Sequence, residues 1–485
     1  MKYQIPTGVF DILPEDPKEE WRCMHIWAHV ESQIREISKD FGYREIRTPI
    51  FEKANLFLRN VGETSDIVSK ELYLFEDKGE RLLALRPEGT APVMRAITEN
   101  GLLNQGQHQK FFYIGPMFRY DRPQAGRYRQ HHQFGIEAIG NRSPEQDAEV
   151  IALLYTLLTR LGLSKINIHI NCIGDKNVRD AFKQALKEFL KPHLPNLSKE
   201  SRDRFETNPL RILDSKDERD QKIVQGAPSI LDFINDENRV HFNRIQELLD
   251  SLGINYIVNP LLVRGLDYYN EMVFEIVSTD LGAQSSLGGG GRYDGLLKMM
   301  GGPDVPAAGF GAGIERIIQA LIAQDCVTPE EARPNLFLIP IGGKASKYGF
   351  KLLQELRSQK ISAQMDFTGR KVGKAMQLAN QVRAQHVLVI GDNELETGFA
   401  ELKEMDSGTS QRIPLDSVVR ILRILETSGP YLTYLEELEK PFENREDAQF
   451  FMQKVHSALE QTKTMTEKFH QQITELKGLI EESED

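Results

Sequence analysis

Residues 115–140, GPMFRYDRPQAGRYRQHHQFGIEAIG, decide how this chain is read. KFFYIGPMFR and FGIEAIG, one at each end, carry strand composition, and the short segment between them fits a hairpin loop. Arg119, Arg122, Arg127 and Arg129 fall within eleven positions of that hairpin. The formal net charge of the chain is −11, so a basic loop is not part of a generally basic surface. It suits the phosphates of a nucleotide, a nucleic-acid backbone, or both.

Further strand candidates surround the hairpin. GYREIRTPIFE (42–52) alternates and is then broken by Pro49, and RLLALRP and INIHINCIG are strand-like. Cys23, Trp27, Val30, Ile34, Ile37 and Phe41 recur at spacings of four and three, which predicts an amphipathic helix over 17–40. A second helix is expected over 145–162. From about 174 to 250 the pattern is helical and highly charged, and strand patterns resume at Tyr256, so this part reads as an insertion. Neighbouring strands with short links imply an α+β domain over 1–330, built on a large antiparallel sheet with helices on it.

A second style begins at Pro334. NLFLIPIG, ISAQMDFT and AQHVLVIG alternate with helical segments, as in an α/β domain with parallel strands over 334–426. Its first strand leads into IGGK rather than G-x-G-x-x-G, so a dinucleotide fold is unsupported. TSGP (427–430) reads as a linker. Residues 430–485 read as a helical C-terminal extension, with a seam of Val455, Leu459, Thr462, Thr466, Phe469, Ile473, Leu476 and Ile480.

At 485 residues, two to four domains are expected. No apolar run reaches the roughly 20 residues of a membrane span. The first residues lack a charged-then-apolar signal pattern, which gives no reason to expect export. Cys23, Cys172 and Cys326 are odd in number and far apart, an argument against a disulfide framework or zinc site and for a reducing cytoplasm.

Four more stretches concentrate unusual residues. In LVRGLDYYNEMVFEI (262–276), Leu262-Val263 and Met272-Val273-Phe274 read as parts of two strands. Arg264 and Asp267 between them are costly unless paired, either with each other or with an anion from outside. LRPEGTAPVMRA holds Arg86, Glu88 and Thr90 where a helix cap is, taken alone, the preferred reading. GFGAGIERII puts Arg316 early on a helix, as a close-packed terminus or a phosphate contact. SLGGGGRYDGLL is, by itself, a flexible turn.

In combination these motifs resemble the class II aminoacyl-tRNA synthetases, and among them the histidyl-tRNA synthetase family. GYREIRTPIFE is similar to the dimer-interface motif, GPMFRYDRP to the second motif and GFGAGIERI to the third. LVRGLDYYN and GGGRYDGL resemble signatures of the histidine enzymes, NPLRILDSK (208–216) their helical insertion, and the domain from 334 their anticodon-binding domain. The resemblance covers roughly residues 3–425.

The resemblance implies activation of L-histidine with ATP to histidyl-adenylate, then transfer to the 3′ end of histidine tRNA. By this likeness Arg264 and Arg119 are catalytic. Arg119, Arg127, Arg264 and Arg316 contact ATP. Glu88, Thr90 and Gln133 hold the amino group of histidine, while Glu137 and Tyr269 face its imidazole with Tyr268 beside them. Arg122 and Gln124 meet the tRNA acceptor end. Mg2+ on the phosphates and a homodimer are also implied, with no metal ligands assignable. His131 stands where many members carry phenylalanine. The alternatives are a non-catalytic regulatory relative serving histidine biosynthesis, and an ATP-dependent ligase for another amino acid. The intact Arg264, Arg119, Glu88 and Tyr269 and the presence of an anticodon-binding region oppose the first; the two histidine-type signatures oppose the second.

Overall fold

The computed structural model describes residues 3–60, 70–106, 108–121, 126–266, 268–282 and 285–427. Arg122, Gln124, Asp267 and the extension over 430–485 lie outside the described residues. The chain divides into two compact units, Met1–Glu331 and Ala332–Asp485.

The first unit begins with α1 (Met24–Asp40), β1 (Arg44–Glu45), β2 (Phe51–Lys53), α2 (Asn55–Asn60), β3 (Leu74–Glu76), β4 (Leu82–Leu85) and α3 (Thr90–Glu99). The hairpin follows as β5 (Gln109–Phe118) and β6 (Gln130–Ile139), then α4 (Pro144–Arg160) and β7 (Ile166–Cys172). The insertion is α5 (Lys176–Leu190), α6 (Lys199–Thr207), α7 (Glu218–Val224) and α8 (Asp236–Ser251). The unit closes with β8 (Ile257–Val258), β9 (Asn270–Ser278), β10 (Ser286–Arg292), α9 (Leu296–Met299), β11 (Ala307–Gly313) and α10 (Ile314–Ala323).

Eight strands form the main sheet in the order β1-β5-β6-β11-β10-β9-β7-β8. Its six central strands pair antiparallel, as expected, but the two short edge strands run parallel to their neighbours, so the sheet is mixed. β2, β4 and β3 make a separate small sheet. The motif over 42–52 thus contributes one strand to each sheet, divided where Pro49 denies a ladder donor.

Helices α1, α4 and α10 pack together against the main sheet. Ile26, Trp27, Val30, Ile34 and Ile37 of α1 are all buried, each worth about 1.5–3 kcal/mol relative to exposure. α1 starts at Met24 rather than near residue 17. Asp16 instead accepts from the Lys18 and Glu19 amides, and Cys23 is extended and bridged to Leu13. Later starts carry clear caps: Ser143 accepts from Gln146 N with Pro144 at the first position, and Asp175 accepts from Val178 N.

Leu262-Val263 is not a strand. Asn171 donates its side-chain amide to the carbonyls of Pro260 and Leu262, turning the chain off the sheet after β8.

The second unit contains β12 (Leu336–Pro340), α11 (Gly343–Ser358), β13 (Ala363–Met365), α12 (Val372–Gln381), β14 (His386–Ile390), α13 (Asp392–Thr397), β15 (Phe399–Glu404), β16 (Ser410–Pro414) and α14 (Val418–Thr427). Only β13, β12 and β14 are parallel; β15 and β16 form an antiparallel hairpin on β14. The three strands expected to be parallel are so; β15 and β16 add to them, joined by a turn in which Gly408 sits at φ 72°.

Candidate active site

β5, β6, β10, β11 and the start of α10 enclose a cleft of about 330 Å³. Arg119, Arg127, Arg264 and Arg316 all reach it. Arg119 follows β5 and donates Nε to the Pro87 carbonyl at 2.9 Å. Arg127 pairs with Asp121 at 3.1 Å. Arg316, in the first turn of α10, donates to the Gly126 carbonyl at 3.1 Å and the Ser286 carbonyl at 3.0 Å. Burial, with the like charges of Arg127 and Arg119, lowers the proton affinity of Arg316. Crowded cations of this kind are relieved by an anion.

Arg264 donates Nη1 to Glu275 Oε1 at 3.0 Å, and Ser286 Oγ donates to the same oxygen at 2.8 Å. Its partner is therefore Glu275 on β9, a residue sequence reading did not single out. Burial opposes the Glu275 carboxylate, yet Arg264 and Ser286 hold it below its usual range. A Cβ at Gly289, in the glycine run of β10, would lie 2.8 Å from Arg264 Nη1. The glycines are thus a strand floor under the guanidinium, and not the turn their composition suggests.

His131, Gln133, Gly135 and Glu137 alternate along one face of β6. His131 and Gln133 line the cleft. Burial, Arg119, Arg316 and His132 push the His131 imidazole well below its ordinary pKa, so it is neutral. His132 points the other way, 2.9 Å from Glu315 and edge-on to Trp27. Neither histidine is a loop residue.

Farther along β6, Glu137 is fully buried and burial pushes it up to about 8. Tyr293 donates its hydroxyl to Glu137 Oε2, while Glu137 Oε1 has no hydrogen-bond partner. The Tyr268 and Tyr269 rings are tilted against each other at 4.7 Å with Tyr293 5.6 and 6.0 Å away, and the Tyr268 hydroxyl is likewise buried and unpartnered. Glu88 accepts from the Thr90 and Ala91 amides at 2.6 and 2.9 Å, so it caps α3 in addition to facing this cluster. Its burial raises its pKa.

Tyr293 sat inside a quoted signature without a role. Arg211, from NPLRILDSK, also lines the cleft; nothing in its local pattern signals that position. No group of three metal-ligating side chains comes together among the described residues. Of the nearby carboxylates, Asp121, Glu275 and Glu315 are engaged by Arg127, Arg264 and His132, and Glu71 also lines the cleft.

An arginine-ringed cleft on a sheet with an antiparallel centre places the protein in the class II aminoacyl-tRNA synthetases. Comparison with known proteins narrows this. The Histidyl-tRNA synthetase family matches residues 8–317 and the Anticodon binding domain family residues 335–425. A Histidine--tRNA ligase of Protochlamydia amoebophila (strain UWE25) is 58% identical over 87% of this chain and 100% of its own. The apo histidyl-tRNA synthetase of S. aureus is 37% identical, with a TM-score of 0.73 over 87% of this chain and 100% of that one. A Bacillus halodurans chain described as an ATP phosphoribosyltransferase regulatory subunit/histidyl-tRNA synthetase is 23% identical, with a TM-score of 0.58 over 81% of this chain and 99% of that one; it shares the fold alone. The chain belongs to the histidyl-tRNA synthetase family, and the ligase reading stands over the regulatory one.

Proposed function

We propose that the cleft activates L-histidine with ATP and passes the histidyl group to histidine tRNA, with the residues in the following roles. The histidine carboxylate attacks the α-phosphorus, and pyrophosphate leaves. Arg264 and Arg119 draw the two anions together and stabilise the charge spread over the phosphoryl group. Arg127 and Arg316 hold the outer phosphates. Glu88, Thr90 and Gln133 receive the α-amino group. Glu137, Tyr268 and Tyr269 meet the imidazole.

The observation that carries this reading is the bare Oε1 of buried Glu137, in the same sheet as the arginine cleft. A buried unpaired acceptor costs about 1–3 kcal/mol, and an imidazole N–H would satisfy it. The side chains present do not fit a protein-held metal ion, so Mg2+ would arrive on the phosphates of ATP. Arg122 and Gln124 would meet the acceptor end of the tRNA, and the second unit, over 334–426, would bind its anticodon. The region 1–330, with its insertion, is the catalytic domain, and 430–485 an extension outside the chemistry.

The protein acts as a homodimer. Supporting this, Phe51, Leu74, Phe75 and Leu82 stay exposed on the small sheet, an apolar face suited to a second copy. A cytoplasmic location is supported by three free cysteines; among the described residues no helix is long and apolar enough to cross a membrane. Histidine-dependent ATP–pyrophosphate exchange, followed by charging of purified histidine tRNA, tests the function. Exchange with another amino acid and none with histidine would sink it.

A further inference from the structure

The helical insertion enters the cleft through Arg211. This residue lies in the short turn Pro209–Ile212, and its Nη2 donates to the carbonyl of Gly265 at 2.5 Å. Gly265 directly follows Arg264. A Cβ at Gly265 would stand 3.4 Å from both terminal nitrogens of Arg211 and 3.8 Å from its Cζ, so the guanidinium turns its two-nitrogen edge to that stretch of backbone.

The turn is a firm base. Pro209, Ile212 and Leu213 are buried. Asp220, also buried, accepts from Ser198 N and Oγ, from Ser201 Oγ and from Ser215 Oγ, all at 2.6–2.7 Å. These partners lie on both sides of the turn and lock it. Residues 260–266, by contrast, have left the sheet after the Asn259 N–H bonds the Ile170 carbonyl, and side chains hold them in place of a ladder: Asn171 grips the Pro260 and Leu262 carbonyls, and Arg211 the Gly265 carbonyl. The insertion also contributes a charge, that of Asp214, to the surroundings of Arg264. Burial works against the Arg264 charge, but Glu275, Tyr269 and the insertion's Asp214 more than offset it.

We infer that Arg211 is a positioning residue for adenylate formation: it clamps the backbone at Gly265 so that Arg264 is presented to the reacting anions, and so ties the chemistry to the seating of the insertion. This rests on the role proposed for Arg264. Misplacement of a catalytic group by about 1 Å can cost about 10²-fold, so the clamp need not touch substrate to matter.

The test is a double-mutant cycle in the full chain, read by histidine-dependent ATP–pyrophosphate exchange. Arg211→Met keeps the apolar stem and removes the donors. It is expected to lower kcat about 10–100-fold with the KM for ATP little changed, while Arg211→Lys recovers part of the loss. On an Arg264→Ala background the same change should cost almost nothing more. Thermal unfolding confirms that each variant is folded. Parent-level kcat in Arg211→Met, or losses that multiply in full across the two sites, would overturn the inference while leaving the Arg264 reading intact. Parent-level exchange in Arg264→Ala would overturn both.

Discussion

Tyr293 donates its hydroxyl to one oxygen of Glu137, and the other oxygen of that carboxylate faces no donor. A side chain held on one side and bare on the other is oriented before any ligand arrives. Glu137→Gln keeps the shape but cannot release a proton to become the carboxylate that accepts from an imidazole N–H. Loss of the acceptor is expected to raise the KM for histidine about 10–100-fold, with the KM for ATP little changed. Pyrophosphate exchange titrated in each substrate measures this; an unchanged histidine KM would remove Glu137 from the imidazole site.

The same carboxylate predicts a pH dependence of the ligand-free protein. Its folded pKa, about 8, lies above the ordinary 4.5 because burial penalises the charge. A folded state that keeps a proton the unfolded chain has released loses stability as pH rises. The Glu137 contribution is fully present below about 4.5 and is lost as pH climbs through about 8. Melting curves from pH 5 to 9 should show a decline that is shallower in Glu137→Gln. Parallel curves for the two proteins would contradict this.

Arg264→Ala should lower adenylate formation by about 10²–10³, or about 3–4 kcal/mol, as removal of one transition-state stabiliser does. It also leaves Glu275 with Ser286 in place of its charged partner, at a cost of about 1–3 kcal/mol. Adding Glu275→Gln should restore the melting temperature but not the activity. Recovery of both would make the pair structural.

Phe51 and Phe75 meet edge to face, 6.3 Å between centroids, while both remain exposed. Changing both to Glu should give a monomer in sedimentation at micromolar concentration. A dimer that survives would move the interface elsewhere.

Arg122→Ala with Gln124→Ala should spare pyrophosphate exchange and slow tRNA charging, since their loop is assigned to the acceptor end. An equal loss in both assays would cancel the assignment.

The four arginines were legible because each is a charge set between apolar strand residues or after glycines, where a solvated surface residue would not be placed. What a charge pairs with was less legible. Asp267, the partner that sequence proximity suggests, lies outside the described residues, and Glu275 pairs with Arg264 because β9 carries it back beside the cleft. The signal existed: Glu275 is a charge set inside the apolar run Met272–Val277. Arg211 had no such signal, because its turn reaches Gly265 across 54 residues of chain. In the second unit the parallel core was readable from buried apolar runs. The added hairpin was not singled out, although β15 alternates exposed and buried residues as a half-buried strand does.

The β10 floor, finally, is made of backbone. At Gly288, Gly289, Gly290 and Gly291 alike, a single methyl would collide with the main chain of a neighbouring strand or with Arg264. Such a surface has no rotamers to sample and no smaller residue to mutate to. Natural variation therefore has no gradual route to a deeper or shallower chamber from below. Adaptation to another substrate would have to come through the walls and rim, which leaves the floor the part of the site least able to drift.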